Sequence, residues 1–364
     1  MTVNDITSFL DIVAPNSYQE SYDNAGLLVG SSSSNVTGVV VTLDVTPKVV
    51  EEAINLGYNL IVAHHPIIFK GLKKITGRNY VEKSVMLALK NDVAIYAMHT
   101  NFDSVFHGVN YKISQKLGIE NLSILRPVEN QLVKLVTFVP DSHADNLRKA
   151  MFDAGAGKIG NYDSCSYNAN GFGTFRAGEN THPFVGDIGE LHREAEVRIE
   201  TVVPRVNLNG VIKAMLSAHP YEEVAYDVYP LDITFNQVGL GMVGDLPEPV
   251  DILDFLEMVK KEFNTGCIRY TKPHKRVIKR IAVCGGSGVE LLNEAISRQA
   301  DVFITADVKY HQFFDADGKI TLVDIGHFES EQFTIDLIYD YLSKKFPKFA
   351  VQKSKVTTNP INYL

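Results

Sequence analysis

One strand-helix-strand sentence near the start of the chain limits the folds open to it. GVVVTLDV, beginning at Gly38, is a run of β-branched residues long enough for a buried strand. TPKVVEEAINLG follows as a helix, with Thr46 placed to cap it and Gly57 to end it, and NLIVAHHP is the next strand. A helical crossover between two apolar strands calls for a parallel pair. EKSVMLALKND then predicts a helix, VAIYAMHT a third strand, and DSVFHGVNYKISQKLGI a further helix. In such sheets the loops at the strand carboxyl ends carry the chemistry.

The same sentence recurs late in the chain as RIAVCGGSG, VELLNEAISRQ, ADVFITADVKYH and KITLVDIGHFESEQF. EEAINLGYNLIVAHHP aligns without a gap on NEAISRQADVFITADV, and NFDS at 101–104 falls opposite HFES at 327–330. The fold class expected is therefore α/β, with two related α/β halves forming one core, residues 1–126 and 232–364. Residues 127–231 differ in character: QLVKLVTFVP, DSHADNLRKAMFDAG, NYDSCSYNANGFGTFRAG, EAEVRIETVVP, NLNGVIKAMLSAHP and VAYDVYPL read as βαββαβ, an inserted ferredoxin-like (α+β) domain. Its glycine-rich middle, NANGFGTFRAGENTHPFVGDIGELH, suggests a mobile loop or an assembly surface.

A chain of 364 residues, 45% hydrophobic and 21% charged, is long enough for more than one core. A net charge of -8 speaks against nucleic acid and anionic membranes as partners, which are met by clustered Lys and Arg. Cys165, Cys267 and Cys284 are far apart and form no CxxC pair, so neither a disulfide framework nor a thiolate zinc site is indicated. The amino terminus has no signal-peptide pattern and no segment has the length of a spanning helix, so a cytoplasmic protein is expected.

Three strand ends carry metal-type donors: His64 and His65, then Asp103, then His327 with Glu331. His327 and Glu331 are four apart at the start of a predicted helix and share a face, while Glu329 points elsewhere. Pro66 ends the strand pairing after His65, so the two imidazoles either diverge to serve two ions, or one ligates and the other lines the pocket. Asp103 reads either as a ligand or as a helix N-cap. Three imidazoles and two carboxylates without a thiolate suit two divalent ions such as Zn, Mn, Fe or Ni, and metal-assisted hydrolysis. His99 reads as an orienting group or proton donor, or as a packed loop residue. Asp307 and His311 line the pocket or lie on a surface helix. CGGSG, 284–288, holds a phosphate or is a plain tight turn, Asp23 and Asn24 face the site or make a turn, and Cys284 is a buried thiol.

SYDNAGLLVG, LIVAHHPIIF, HTNFDSVFHGVN, ITADVKYH and DIGHFESE together resemble the GTP cyclohydrolase I type 2 homologue family, also called Nif-three-like, over essentially the whole chain. AHPYEEVAYDVYPL makes the insert similar to PII-like or CutA-like domains. The resemblance implies two metal ions per subunit on His64, His65, Asp103, His327 and Glu331, with Zn the first expectation. It also implies a toroidal homohexamer whose sites face an interior cavity, and a small-molecule, nucleotide-like substrate. His99 and His311 are the candidate proton carriers. The rival reading is a metal-containing regulatory or scaffold protein whose insert senses a ligand or partner. DNA association within the ring is disfavoured by the acidic charge balance.

Overall fold

The computed structural model describes residues 1–364, which divide into two compact units, Met1–Pro127 with Asn236–Leu364, and Val128–Phe235. No helix is long and apolar enough to cross a membrane.

The first unit is built on two sheets. In one, the strands Val39–Thr42, Leu60–Ala63 and Ala94–Ala97 run parallel in that spatial order, and Gly26–Val29 lies antiparallel beside the third. In the other, Val277–Val283, Val302–Thr305 and Thr321–Asp324 repeat the arrangement, with Arg269–Tyr270 antiparallel beside the third. The halves are thus related in topology as well as in sequence. The first crossover helix, Pro47–Leu56, starts where Thr46 accepts a hydrogen bond from the Val49 amide and stops at Gly57, whose φ of 70° favours a residue without a side chain.

Strand residues alternate between two cores. Val39, Val41, Leu60 and Val62 of one sheet share a central cluster with Val302, Ile304 and Val323 of the other. Val40, Ile61 and Ile95 face outward onto helix residues Val49, Ala53 and Val85, and Phe303 and Leu322 face outward onto Leu291, Leu292 and Ala295. Burial on both faces is why these strands read as unbroken apolar runs.

Two strands leave the half in which the sequence places them. Glu120–Pro127 pairs antiparallel with Gly239–Asp251 in the second sheet, and Val351–Lys353 pairs parallel with Val39–Thr42 in the first. The predicted helix over DSVFHGVNYKISQKLGI is two helices, Thr100–Ser104 and Val109–Lys116. They break at Gly108, where a Cβ would stand 1.9 Å from the Phe102 carbonyl oxygen.

The second unit has the strand order fourth, first, third, second: Tyr226–Leu231, Leu132–Pro140, Leu191–Pro204 and Ser166–Arg176, all antiparallel, with helices Ala144–Asp153 and Leu208–Ala218. Val133, Leu135, Leu147, Met151, Ile199, Val211 and Met215 form its core. The strand expected near NYDSCSYNANGFGTFRAG is Ser166–Arg176, which pairs residue for residue with Leu191–Thr201 and runs into the glycine-rich stretch expected as a mobile loop or an assembly surface. Both of its faces are largely exposed, so it carries no apolar alternation to mark where it ends.

The strand exchange makes the two halves of the first unit interdependent. Fragments 1–127 and 236–364, expressed separately, are each expected to lack a cooperative urea transition by circular dichroism, and to gain one when mixed.

Candidate metal centre

Six parallel strand ends point their carboxyl termini at one place. Asp44 follows Val39–Thr42, His64 and His65 follow Leu60–Ala63, and His99 and Asp103 follow Ala94–Ala97. From the other sheet come Gly285 and Gly286 after Val277–Val283, Asp307 after Val302–Thr305, and His327 with Glu331 on the short helix His327–Glu331.

Each of the four histidines is anchored outward through Nδ1 at 2.7 Å: His64 to the Met98 carbonyl, His65 to Asp44, His99 to Asp23 and His327 to Asp307. A carbonyl and an ionised carboxylate only accept, so each Nδ1 is the N–H donor. The Nε2 atoms of His64, His65 and His327 turn inward onto Glu331, which is 3% exposed. Glu331 Oε2 lies 3.0 Å from His65 Nε2 and 3.1 Å from His327 Nε2, and those two nitrogens are 3.3 Å apart. Its other oxygen, Oε1, lies 3.8 Å from His64 Nε2, which is 3.7 Å from Asp103 Oδ1.

This geometry calls for cations. His64 Nε2 and Asp103 Oδ1 are buried with no hydrogen-bond partner. With Nδ1 donating to Met98, a neutral His64 presents a lone pair to two carboxylates, an arrangement that repels unless a positive charge lies between them. His64, Asp103 and Glu331 form one group able to hold a metal ion, and His65, His327 and Glu331 another; His64, His65 and His99 also converge. Imidazole and carboxylate donors of this kind suit divalent transition metals.

The family model described as Duf34/NIF3 (NGG1p interacting factor 3) matches residues 1–360. The chain belongs to the Duf34/NIF3 family. A relative in Halalkalibacterium halodurans called GTP cyclohydrolase 1 type 2 homolog is 42% identical over 317 residues, 86% of this chain and 85% of that protein. The Bacillus subtilis protein of the same name is 36% identical over 99% of this chain and 98% of its own. The crystal structure of a Bacillus cereus protein related to NIF3 superposes with a TM-score of 0.89 at 38% identity, covering 100% of this chain and 99% of that one.

In this Duf34/NIF3 member the strand ends supply a supporting shell of Asp23 and Asp307, which the sequence offered as pocket candidates, and Asp44, which it did not single out. Asp44 fixes His65, and Asp307 fixes His327 from a left-handed backbone, φ 56°, that a residue other than glycine adopts only at a cost. Turned by that conformation, the chain carries His311 away: it is exposed on the turn Tyr310–Ala316 beside Tyr310 and Phe314, so Asp307 is the residue of ITADVKYH that reaches the centre. Asp103 lies inside the helix Thr100–Ser104, whose N-cap is His99, and so does not act as the N-cap itself. Asp23 does face the site, bonding both His99 and Thr100. CGGSG makes room for Glu331. A Cβ on Gly286, φ 60°, would come 2.3 Å from Glu331 Oε1, and the Gly286 amide donates to Ser330 Oγ. Asn110 ties the halves together, accepting from the Gly285 amide and donating to the Asp103 carbonyl. Glycines at a strand end opposite a carboxylate helix were the available signal for this close approach.

Protonation follows the same logic. Burial alone would lower His65, but the Asp44 and Glu331 carboxylates raise it to about 10, and Glu331 with Asp307 likewise raises His327 to about 11. Burial and the Glu331 charge push Asp103 up to about 7. Burial works against Asp23 too, but His99 and Thr100 bring it down to about 2.

Two outcomes follow from this arrangement. Gly286→Ala is expected to displace Glu331 and weaken zinc binding at least about tenfold in a chelator competition, the scale of losing an outer-shell support. A metal ion held there would have to compete with protons for His65 and His327. In the metal-free form their raised values stabilise the fold fully below the ordinary 6.5, and that contribution declines steadily above it until it is lost as pH rises through about 10 to 11. The rise in melting temperature on adding zinc is therefore expected to be larger at pH 8 than at pH 6.

Proposed function

We propose that this protein is a dinuclear divalent-metal hydrolase acting on a nucleotide or related small substrate, with zinc the first candidate ion and iron, manganese or nickel the others its donors suit. The observation that carries the reading is the division of Glu331 between two donor groups, Oε1 toward His64 and Asp103 and Oε2 toward His65 and His327. A carboxylate so placed suits a bridge between two ions. Each group supplies three protein donors and no thiolate, the pattern of sites that keep a position open rather than of closed structural zinc. Bound there, two divalent ions supply Lewis acidity and lower the pKa of water, the chemistry of hydrolysis.

The chain's own residues do the rest. Asp44 and Asp307 hold the His65 and His327 rings in the tautomer that leaves Nε2 free to ligate. His99, fixed through Nδ1 by an ionised Asp23, offers Nε2 next to His64 and His65 and is the group placed to carry a proton. The name of the curated relatives supports a purine nucleotide such as GTP as the first substrate to test. We further propose the toroidal homohexamer, which light scattering would report as six chain masses.

One observation favours the regulatory alternative: the second unit has its own cavity of about 500 Å³ among Phe138, Phe172, Phe175, Arg198 and Tyr221, suited to a small ligand. The two readings separate on Glu331→Ala. The hydrolase reading expects wild type to turn over a member of a nucleotide panel. The variant should lose bound metal and turnover together, by more than the roughly 10–100-fold that an outer-shell loss costs. Persistent turnover after metal loss would sink it, and two bound ions without any turnover would favour regulation.

A further inference from the structure

We infer that the segment following the strand Val351–Lys353 is a positioning strap for the metal centre, with Thr358 holding the support of His65 and Asn359 holding the helix that carries His327 and Glu331. The inference rests on the metal reading above and extends it to residues that donate nothing to an ion.

The strap is fastened along its length. Val351–Lys353 pairs with Val39–Thr42, the strand that Asp44 follows, and the Ser354 amide continues the pairing onto the Val41 carbonyl. Glu52 then accepts from Ser354 Oγ and from the Lys355 amide, and Val356 packs into the outer cluster of the first sheet. Beyond it, consecutive side chains diverge, as they do in extended chain. Thr358 Oγ1 donates to Asp44 Oδ2 at 2.7 Å, while Asp44 Oδ1 holds His65 Nδ1 at 2.7 Å. Asn359 Nδ2 donates to Glu329 Oε1 at 3.0 Å, in the helix His327–Glu331 of the other half.

Glu329 is 4% exposed and its second oxygen has no partner, so the amide of Asn359 is a main tether for a buried acid. Asn359 is itself held, its Oδ1 accepting from the Ile361 amide. The segment closes with the Tyr363 ring against Gly266, where a Cβ would come within 2.5 Å of it. Ile361 and Tyr363 wall a cavity of about 220 Å³ onto which His327 and Asp307 also open. One short segment therefore touches the supports of donors from both halves. The distance between the two ligand groups depends on it.

The test uses full-length protein carrying Thr358→Val, Thr358→Ser or no change. The readouts are zinc affinity by chelator competition, the visible spectrum of the cobalt-loaded protein, and the melting temperature of the metal-free form. Thr358→Val is expected to weaken one of two bound zinc ions about 10–100-fold and to alter the cobalt spectrum, while Thr358→Ser, which keeps the hydroxyl, restores both. A Thr358→Val protein that binds zinc as wild type does would overturn the strap. So would a Thr358→Ser protein as impaired as Thr358→Val, because packing rather than the hydroxyl would then be at fault. Should Thr358→Val also melt earlier without metal, the serine comparison still decides. Wild type that takes up no zinc sinks the metal reading and the strap with it, whereas an unaffected Thr358→Val in a zinc-binding protein sinks the strap alone.

Discussion

A carboxylate buried among three imidazoles is the constraint on which this structure turns. Taking an ionised group such as Glu331 out of water costs several kcal/mol unless positive charge is placed against it. The fold meets part of that requirement by aiming the Nε2 atoms of His65 and His327 at one of its oxygens, while the Nε2 of His64 faces the other. Those rings are held in turn by Met98, Asp44 and Asp307. Protons on His65 and His327 can serve as the counter-charge, and divalent ions can replace them. His64 Nε2 and Asp103 Oδ1, which have no hydrogen-bond partner, favour the ions.

The two halves are arranged so that this convergence cannot slip. Each lends a strand to the other's sheet, the central core is continuous between the sheets, and Asn110 links the Asp103 loop to Gly285. Close-packed interiors of this kind transmit small displacements rather than absorb them. A shift of either sheet would therefore be felt as a change in spacing between the donors. The segment 354–363 adds a polar link at the one level where the sheets end and the donors begin.

The fold was largely legible because its strands are buried on both faces and its crossover helices carry ordinary caps. Val40, Ile61 and Phe303 could be assigned to strands from the apolar runs around them. Pairings made by short or half-exposed segments were not legible. Val351–Lys353 has three residues and no pattern, and Ser166–Arg176, though expected as a strand, buries neither face and so did not show how far it extends. At the site, the five candidate donors could be picked out because imidazole and carboxylate at strand ends are uncommon together. Of their supports, Asp23 and Asp307 stood only as one of two alternatives and Asp44 was missed, because a sequence does not tell which way a side chain turns. Asp44 looks like any strand-end acid until His65 is seen to bond it. His311 looked as well placed as Asp307 until the left-handed backbone at 307 sent the chain elsewhere. Gly286 read as part of a phosphate-holding loop or a plain tight turn, but a Cβ there would meet Glu331.

Two ions sharing Glu331 is the central claim, and anomalous diffraction tests it most directly. Crystals grown with zinc and measured on either side of its absorption edge should show two peaks in each subunit, one beside His64 and Asp103 and one beside His65 and His327. Each peak should lie about 2.0–2.2 Å from a different oxygen of Glu331. A single peak, or two that do not share Glu331, would contradict the account.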